Sequence, residues 1–210
     1  MIGVYNYTVI ATYLSLISSV LGIYFGCSGR TFSALLCLML SGALDAFDGK
    51  IASMKKDRTV QEKRFGIQLD SLCDLVCFGV LPCVIGYSLG MKSFWYVPVM
   101  GVFILGAISR LAYFNVDEEE RQDYTDEKRK YYEGLPVTST ALIFPALYLF
   151  RHLLRGNFVY AWVICMLLVA ALFVIRFKII KPGMRGVLLQ VLFGMAILTL
   201  LIIVRLLYGC

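Results

Sequence analysis

The chain has 210 residues, 60% of them hydrophobic and 16% charged, with a mean hydropathy of +0.78 and a formal net charge of +6. This is too apolar for a soluble domain of its length and reads as an integral membrane protein, a single all-α domain over residues 1–210. The bases fall in groups that flank apolar runs and form no continuous stripe, which argues against a nucleic-acid partner.

Apolar windows of about 17–25 residues match single helical crossings of a bilayer core. In chain order they fall at 7–26, 32–54, 66–90, 93–115, 137–153, 158–176 and 184–207. They predict a polytopic helical bundle of about seven transmembrane helices. The first window has no basic leader before it and no small-residue cleavage site after it, so it is expected to be a retained span. Pro82 and Pro98 are expected to kink the third and fourth helices, and Pro145, following Pro136, to break the fifth.

If the N-terminus is cytoplasmic, 15 of the 20 bases face inward, and only Arg30, Lys92, Arg151, Arg155 and Arg205 lie on the other side. The expected setting is the cell membrane of a prokaryote. The segment from Asp117 to Glu133 holds eight acids and four bases. It is expected to be a solvated cytoplasmic loop, or, in the sharper alternative, a lid. None of the seven cysteines belongs to a paired CxxC motif, so no disulfide framework is expected. Cys73 and Cys77, four apart on one helix face, read as small buried packing residues. His152 is the only histidine, which largely excludes His-rich metal sites and His-dependent triads and leaves it an interfacial residue.

Four acids break the apolar pattern: Asp45 and Asp48 in the second window, Asp70 and Asp74 in the third. A central intramembrane Asp costs roughly 2.5–3.5 kcal/mol, so four forfeit on the order of 10 kcal/mol unless they are neutralised together. Bound divalent cations are the simplest answer. Spacings of three and four put each pair on one helix face, and the intervening turn sets the two helices antiparallel. The result is an all-oxygen cage suited to Mg²⁺ or Mn²⁺. Gly49, Ala52 and Gly66, which is expected to open the third helix, leave room for a bulky ligand. The basic set Lys55, Lys56, Arg58, Lys63 and Arg64, expected in the loop, suits a pyrophosphate or serves as a simple positive-inside anchor.

The run DAFDGKIAS followed by GIQLDSLCD resembles the signature of the CDP-alcohol phosphotransferase family, D-x-x-D-G-x-x-A-R, a spacer, then G-x-x-x-D-x-x-x-D. Asp45, Asp48, Gly49, Ala52, Gly66, Asp70 and Asp74 match it. The resemblance implies two divalent cations, Mg²⁺ or Mn²⁺. Asp45, Asp48 and Asp70 would hold one ion, and Asp45, Asp70 and Asp74 the other, with Asp74 also the general base. Asp48, Gly49, Ala52, Ser53, Arg58, Lys63 and Gly66 become the CDP-lipid contacts. Ser53 stands where the family has Arg, and the 13 residues between Ala52 and Gly66 make a longer spacer than the family's, so Arg58 and Lys63 are the candidates to replace that arginine.

Three further runs, LDSLCDLVCFGVLP, ISRLAYFNV and YYEGLPVTSTA, resemble the branch of the family that takes serine as acceptor. That implies transfer of the phosphatidyl group from CDP-diacylglycerol to L-serine with release of CMP, at the cytoplasmic membrane interface. Arg110 and Asn115 become the serine contacts; alternatively, Arg110 pairs with an acid or snorkels to lipid phosphate. The family also implies a homodimer surrounded by membrane lipid. The competing readings are a member using glycerol phosphate or inositol phosphate, one using an archaeal ether lipid to make archaetidylserine, and a membrane cation carrier. A membrane prenyltransferase usually has its acidic motifs in separate halves of the chain, whereas both lie within 30 residues here.

Overall fold

The computed structural model describes residues 9–54, 59–124, 131–180 and 184–208. Helix α1 (Ile10–Cys27) turns back through Gly29, at φ +75°, into α2 (Thr31–Met54). The buried residues of α1 are small: Ala11, Thr12, Ser15, Ser18, Ser19, Gly22 and Gly26. Its large residues Leu14, Ile17, Leu21 and Tyr24 are exposed. Water-soluble helices bury the opposite set, but between helices in lipid, close approach and hydrogen bonds replace the hydrophobic drive. At Gly22 an added Cβ would come within 2.9 Å of the Cys37 side chain, so this hairpin depends on a missing side chain.

Helix α3 (Val60–Asp74) continues through a π-helical segment (Leu75–Val80) into α4 (Leu81–Leu89). It starts six residues before Gly66, the position expected to open it, because Thr59 and Glu62 form a reciprocal capping box. Lys63 and Arg64 are therefore helical and not part of a loop. Pro82 lies in the first turn of α4 and has no N–H to donate backward, which fits the wide turn just before it. The Thr140 hydroxyl donates to the carbonyl of Phe78, four residues before Pro82, at 3.5 Å.

A 3₁₀ turn at Phe94–Tyr96 leads into α5 (Val97–Tyr124). Pro98 sits in the first turn of α5, where an absent N–H costs nothing, so the expected kink does not occur. The helix runs on through Asp117–Tyr124, so the first half of the expected solvated loop is helical. Beyond it, β1 (Tyr131–Glu133) pairs antiparallel with β2 (Lys178–Ile180), Tyr131 opposite Ile180, a short ribbon the all-α expectation did not include.

Helix α6 (Thr140–Tyr148) contains Pro145 without breaking there; the interruption comes after Tyr148, before the single turn α7 (Arg151–Leu154), which carries His152. Helices α8 (Phe158–Val174) and α9 (Met184–Tyr208) complete the bundle. Five spans are long and apolar enough to cross a membrane: Ile10–Cys27, Val60–Leu89, Phe94–Glu120, Arg151–Val174 and Leu188–Leu207. Thr31–Phe47 and Val137–Tyr148 are shorter apolar helices, so the seven expected windows all correspond to helical segments. The chain is a polytopic helical membrane protein. Its core holds an aromatic cluster, with Phe144 4.7 Å from Trp162 and 5.7 Å from Phe103. Gly106 brings α5 onto the Ala170 backbone of α8.

Candidate metal centre

Asp45 comes from α2, and Asp70 and Asp74 from the last turns of α3. One carboxylate oxygen of each lies within 4.8 Å of the others. Asp74 is buried, and Asp45 and Asp70 are half-buried. An octahedral Mg²⁺ with oxygens at about 2.1 Å spaces neighbouring ligand atoms about 3 Å apart and opposite ones about 4 Å. The three carboxylates are gathered to within 4.8 Å, near that range, and their all-oxygen chemistry suits a hard cation. Asp48, Gly49, Ala52 and Ser53 continue α2 at its end, with side chains outside the described set, and Arg58 lies outside the described residues altogether.

Lys63 and Arg64 are exposed near the start of α3. An open groove of about 510 Å³, lined by Val60, Gln61, Arg64, Phe65 and Gln68, runs along this part of the helix and stops short of the carboxylates. Gly66 lies on the same helix, four residues before Asp70.

The two candidate serine contacts are both buried on α5. Asn115 accepts a hydrogen bond from the Ser71 hydroxyl at 2.7 Å and donates to Gln68 Oε1 at 3.2 Å, so its amide bridges two turns of α3 on either side of Asp70. Gln68 in turn donates to Glu119 at 3.1 Å, extending the ladder between α3 and α5. Arg110 Nε donates to the Leu135 carbonyl at 3.3 Å, and its guanidinium lies over the Phe114 ring. Leu135 belongs to the turn opened by Gly134, at φ +73°, whose N–H donates to Phe177 at 2.7 Å.

The three runs that resemble the serine branch therefore meet in space. Ser71 touches Asn115, Arg110 touches Leu135, and Thr140 touches Phe78. Sequence reasoning missed the linking residues Gln68, Ser71 and Thr140, whose only advance signal was polarity inside otherwise apolar runs. It also missed the start of α3, although T-x-x-E at Thr59–Glu62 announces it.

Comparison with known proteins identifies the family. The family model described as CDP-alcohol phosphatidyltransferase matches residues 5–175. The chain is 35% identical over 116 residues to the CDP-diacylglycerol–serine O-phosphatidyltransferase of Saccharomyces cerevisiae, covering 54% of this chain and 41% of that protein. It is 28% identical over 148 residues to the Helicobacter pylori protein of the same name, covering 68% and 58%. It is 29% identical over 134 residues to the archaetidylserine synthase of Methanothermobacter thermautotrophicus, covering 63% and 53%. The matched part thus spans about half the length of these relatives. With the motif aspartates converging from two helices and the family model covering most of its length, the chain belongs to the CDP-alcohol phosphatidyltransferase family.

Proposed function

We propose that the chain is a phosphatidylserine synthase, transferring the phosphatidyl group of CDP-diacylglycerol to the hydroxyl of L-serine with release of CMP. The observation that carries this reading is the convergence of Asp45, Asp70 and Asp74 on one point, in a chain similar to enzymes named for that reaction. Asp45, Asp48, Asp70 and Asp74 hold two divalent cations, Mg²⁺ or Mn²⁺. When bound, these neutralise the diphosphate and stabilise departing CMP.

Asp74 takes the proton of the serine hydroxyl as its oxygen attacks the lipid-linked phosphorus and the bond from that phosphorus to the CMP oxygen breaks. Arg110, buried on α5 with its Nε donating to the Leu135 carbonyl, supplies a cation for the serine carboxylate. Asn115, held between Ser71 and Gln68, keeps α3 in place against the acceptor. Gly49, Ala52, Ser53 and Gly66 line the CDP-lipid side, and Lys63 or Arg58 stands in for the motif arginine. The enzyme works as a homodimer in the cell membrane of a prokaryote, with the site at the cytoplasmic face. An archaeal ether lipid in the same site yields archaetidylserine.

The test is CMP release by purified protein given CDP-diacylglycerol with serine, glycerol 3-phosphate or inositol phosphate in turn, with divalent cation present. Release with serine alone is expected. Release with another acceptor and none with serine contradicts the assignment. Ion flux in vesicles without CMP formation points to a carrier instead.

A further inference from the structure

Four buried polar side chains take no part in the chemistry above. They are Ser15 and Ser19 of α1, Ser41 of α2 and Cys77 of the π segment, at 3%, 0%, 0% and 0% exposure. Ser15 Oγ donates to the Ser41 carbonyl at 3.1 Å, and Ser41 Oγ donates to the Ser15 carbonyl at 2.9 Å. This reciprocal pair fixes two backbones to each other, not merely two flexible side chains. The Ser19 and Ser41 hydroxyls share a hydrogen bond at 2.8 Å, and Ser15 Oγ lies 3.6 Å from Cys77 Sγ.

Placement gives the cluster its meaning. Ser41 precedes Asp45 by one turn on the same face of α2, and Cys77 follows Asp74 by three residues. Through Ser15, α1 therefore reaches both acid-bearing helices just inside the site. On its other side α2 is wedged at Gly42, where an added Cβ would overlap the Ala141 side chain. Small hard cations tolerate little departure from their preferred oxygen geometry, so a slight shift of α2 relative to α3 matters.

We propose that Ser41, gripped by Ser15 and Ser19, is a positioning residue that sets the distance of Asp45 from Asp70 and Asp74 and thereby the affinity for divalent cation. The inference rests on the metal reading above. It predicts an effect that loss of an ordinary α1–α2 hydrogen bond does not produce, and the chain contains such a bond for comparison: Ser18 Oγ donates to the Cys37 carbonyl at 3.0 Å, one turn further from Asp45.

The experiment measures Mn²⁺ binding by electron paramagnetic resonance on the full chain in lipid nanodiscs without substrate, for the parent and for Ser41→Ala, Ser19→Ala and Ser18→Ala. Groups bonded directly to metal ligands change affinity about 10–100-fold when removed; Ser41 acts one step further out, through the backbone of α2, so Ser41→Ala should weaken Mn²⁺ at the low end, about tenfold, and Ser19→Ala about threefold, with Ser18→Ala unchanged. Equal affinities for Ser41→Ala and Ser18→Ala, whether both parental or both weakened, overturn the proposal. If Ser41→Ala does not fold, Ser19→Ala against Ser18→Ala decides by the same criterion. A parent that binds no Mn²⁺ overturns the metal reading and the proposal with it, whereas a parent that binds while the variants fail to separate overturns the positioning role alone.

Discussion

The acid-bearing span Val60–Leu89 and the last helix α9 are built in opposite ways. Of the 18-residue apolar window in the first, 56% is buried; of that in Leu188–Leu207, 11% is. The first is held by side-chain hydrogen bonds to α1, α5 and the start of α6, through Cys77, Ser71, Gln68 and Phe78. On α9 the Thr199 hydroxyl turns back to its own Met195 carbonyl, and long runs such as Leu188, Leu189, Leu192 and Phe193 are exposed. The family match ends at residue 175, before α9 begins. Lipid can cover an apolar helix without help. Carboxylates in an apolar span need a rigid polar frame and a counter-charge, and among the described residues this span carries interhelical hydrogen bonds on both sides of Asp70 and Asp74.

That contrast is broken most severely at Asp74. Asp74→Asn should lower CMP release by about 10³-fold or more, since loss of a general base alone costs about 10²–10⁴-fold, while circular dichroism of the purified protein stays helical. Activity near the parent's removes the base assignment. Next comes the packing behind the frame: Trp162, fully buried between Phe144 and Phe158, should cost about 3–5 kcal/mol on Trp162→Ala, read from thermal unfolding in detergent. A smaller loss, about 1 kcal/mol in the same assay, is expected for Thr140→Val, which keeps the shape and deletes the hydroxyl that reaches the Phe78 carbonyl. The smallest effect sharpens the other side of the comparison. Leu189→Ala on the exposed face of α9 should stay within about 0.5 kcal/mol, and a loss above 2 kcal/mol would mean that this face is covered by protein and not lipid.

What the sequence revealed follows the same division. Long apolar windows located the spans because length and hydropathy are set by the bilayer and not by neighbouring helices. The acids were legible because charge in such a window has so few explanations. Helix ends were less so: Gly66 suggested a start that the Thr59–Glu62 box places earlier, and the charged run after Val116 suggested a loop where helix α5 simply continues to Tyr124. The proline readings failed where position within the helix mattered, since Pro98 falls in a first turn and Pro145 is accommodated inside α6. The β1–β2 ribbon pairs segments 47 residues apart, and no local pattern in either strand announces the other. The serine cluster on α1 was invisible for a similar reason, because a hydroxyl in an apolar helix acquires its role only from the helix packed against it.

The most direct test of the metal-centred account is CMP release from CDP-diacylglycerol and serine by protein stripped with a chelator, then titrated with Mg²⁺ or Mn²⁺. No release in chelator, and recovery on adding either ion to the parent but not to Asp45→Asn or Asp70→Asn, is the expected result. Undiminished release in chelator, or full recovery in those variants, contradicts it.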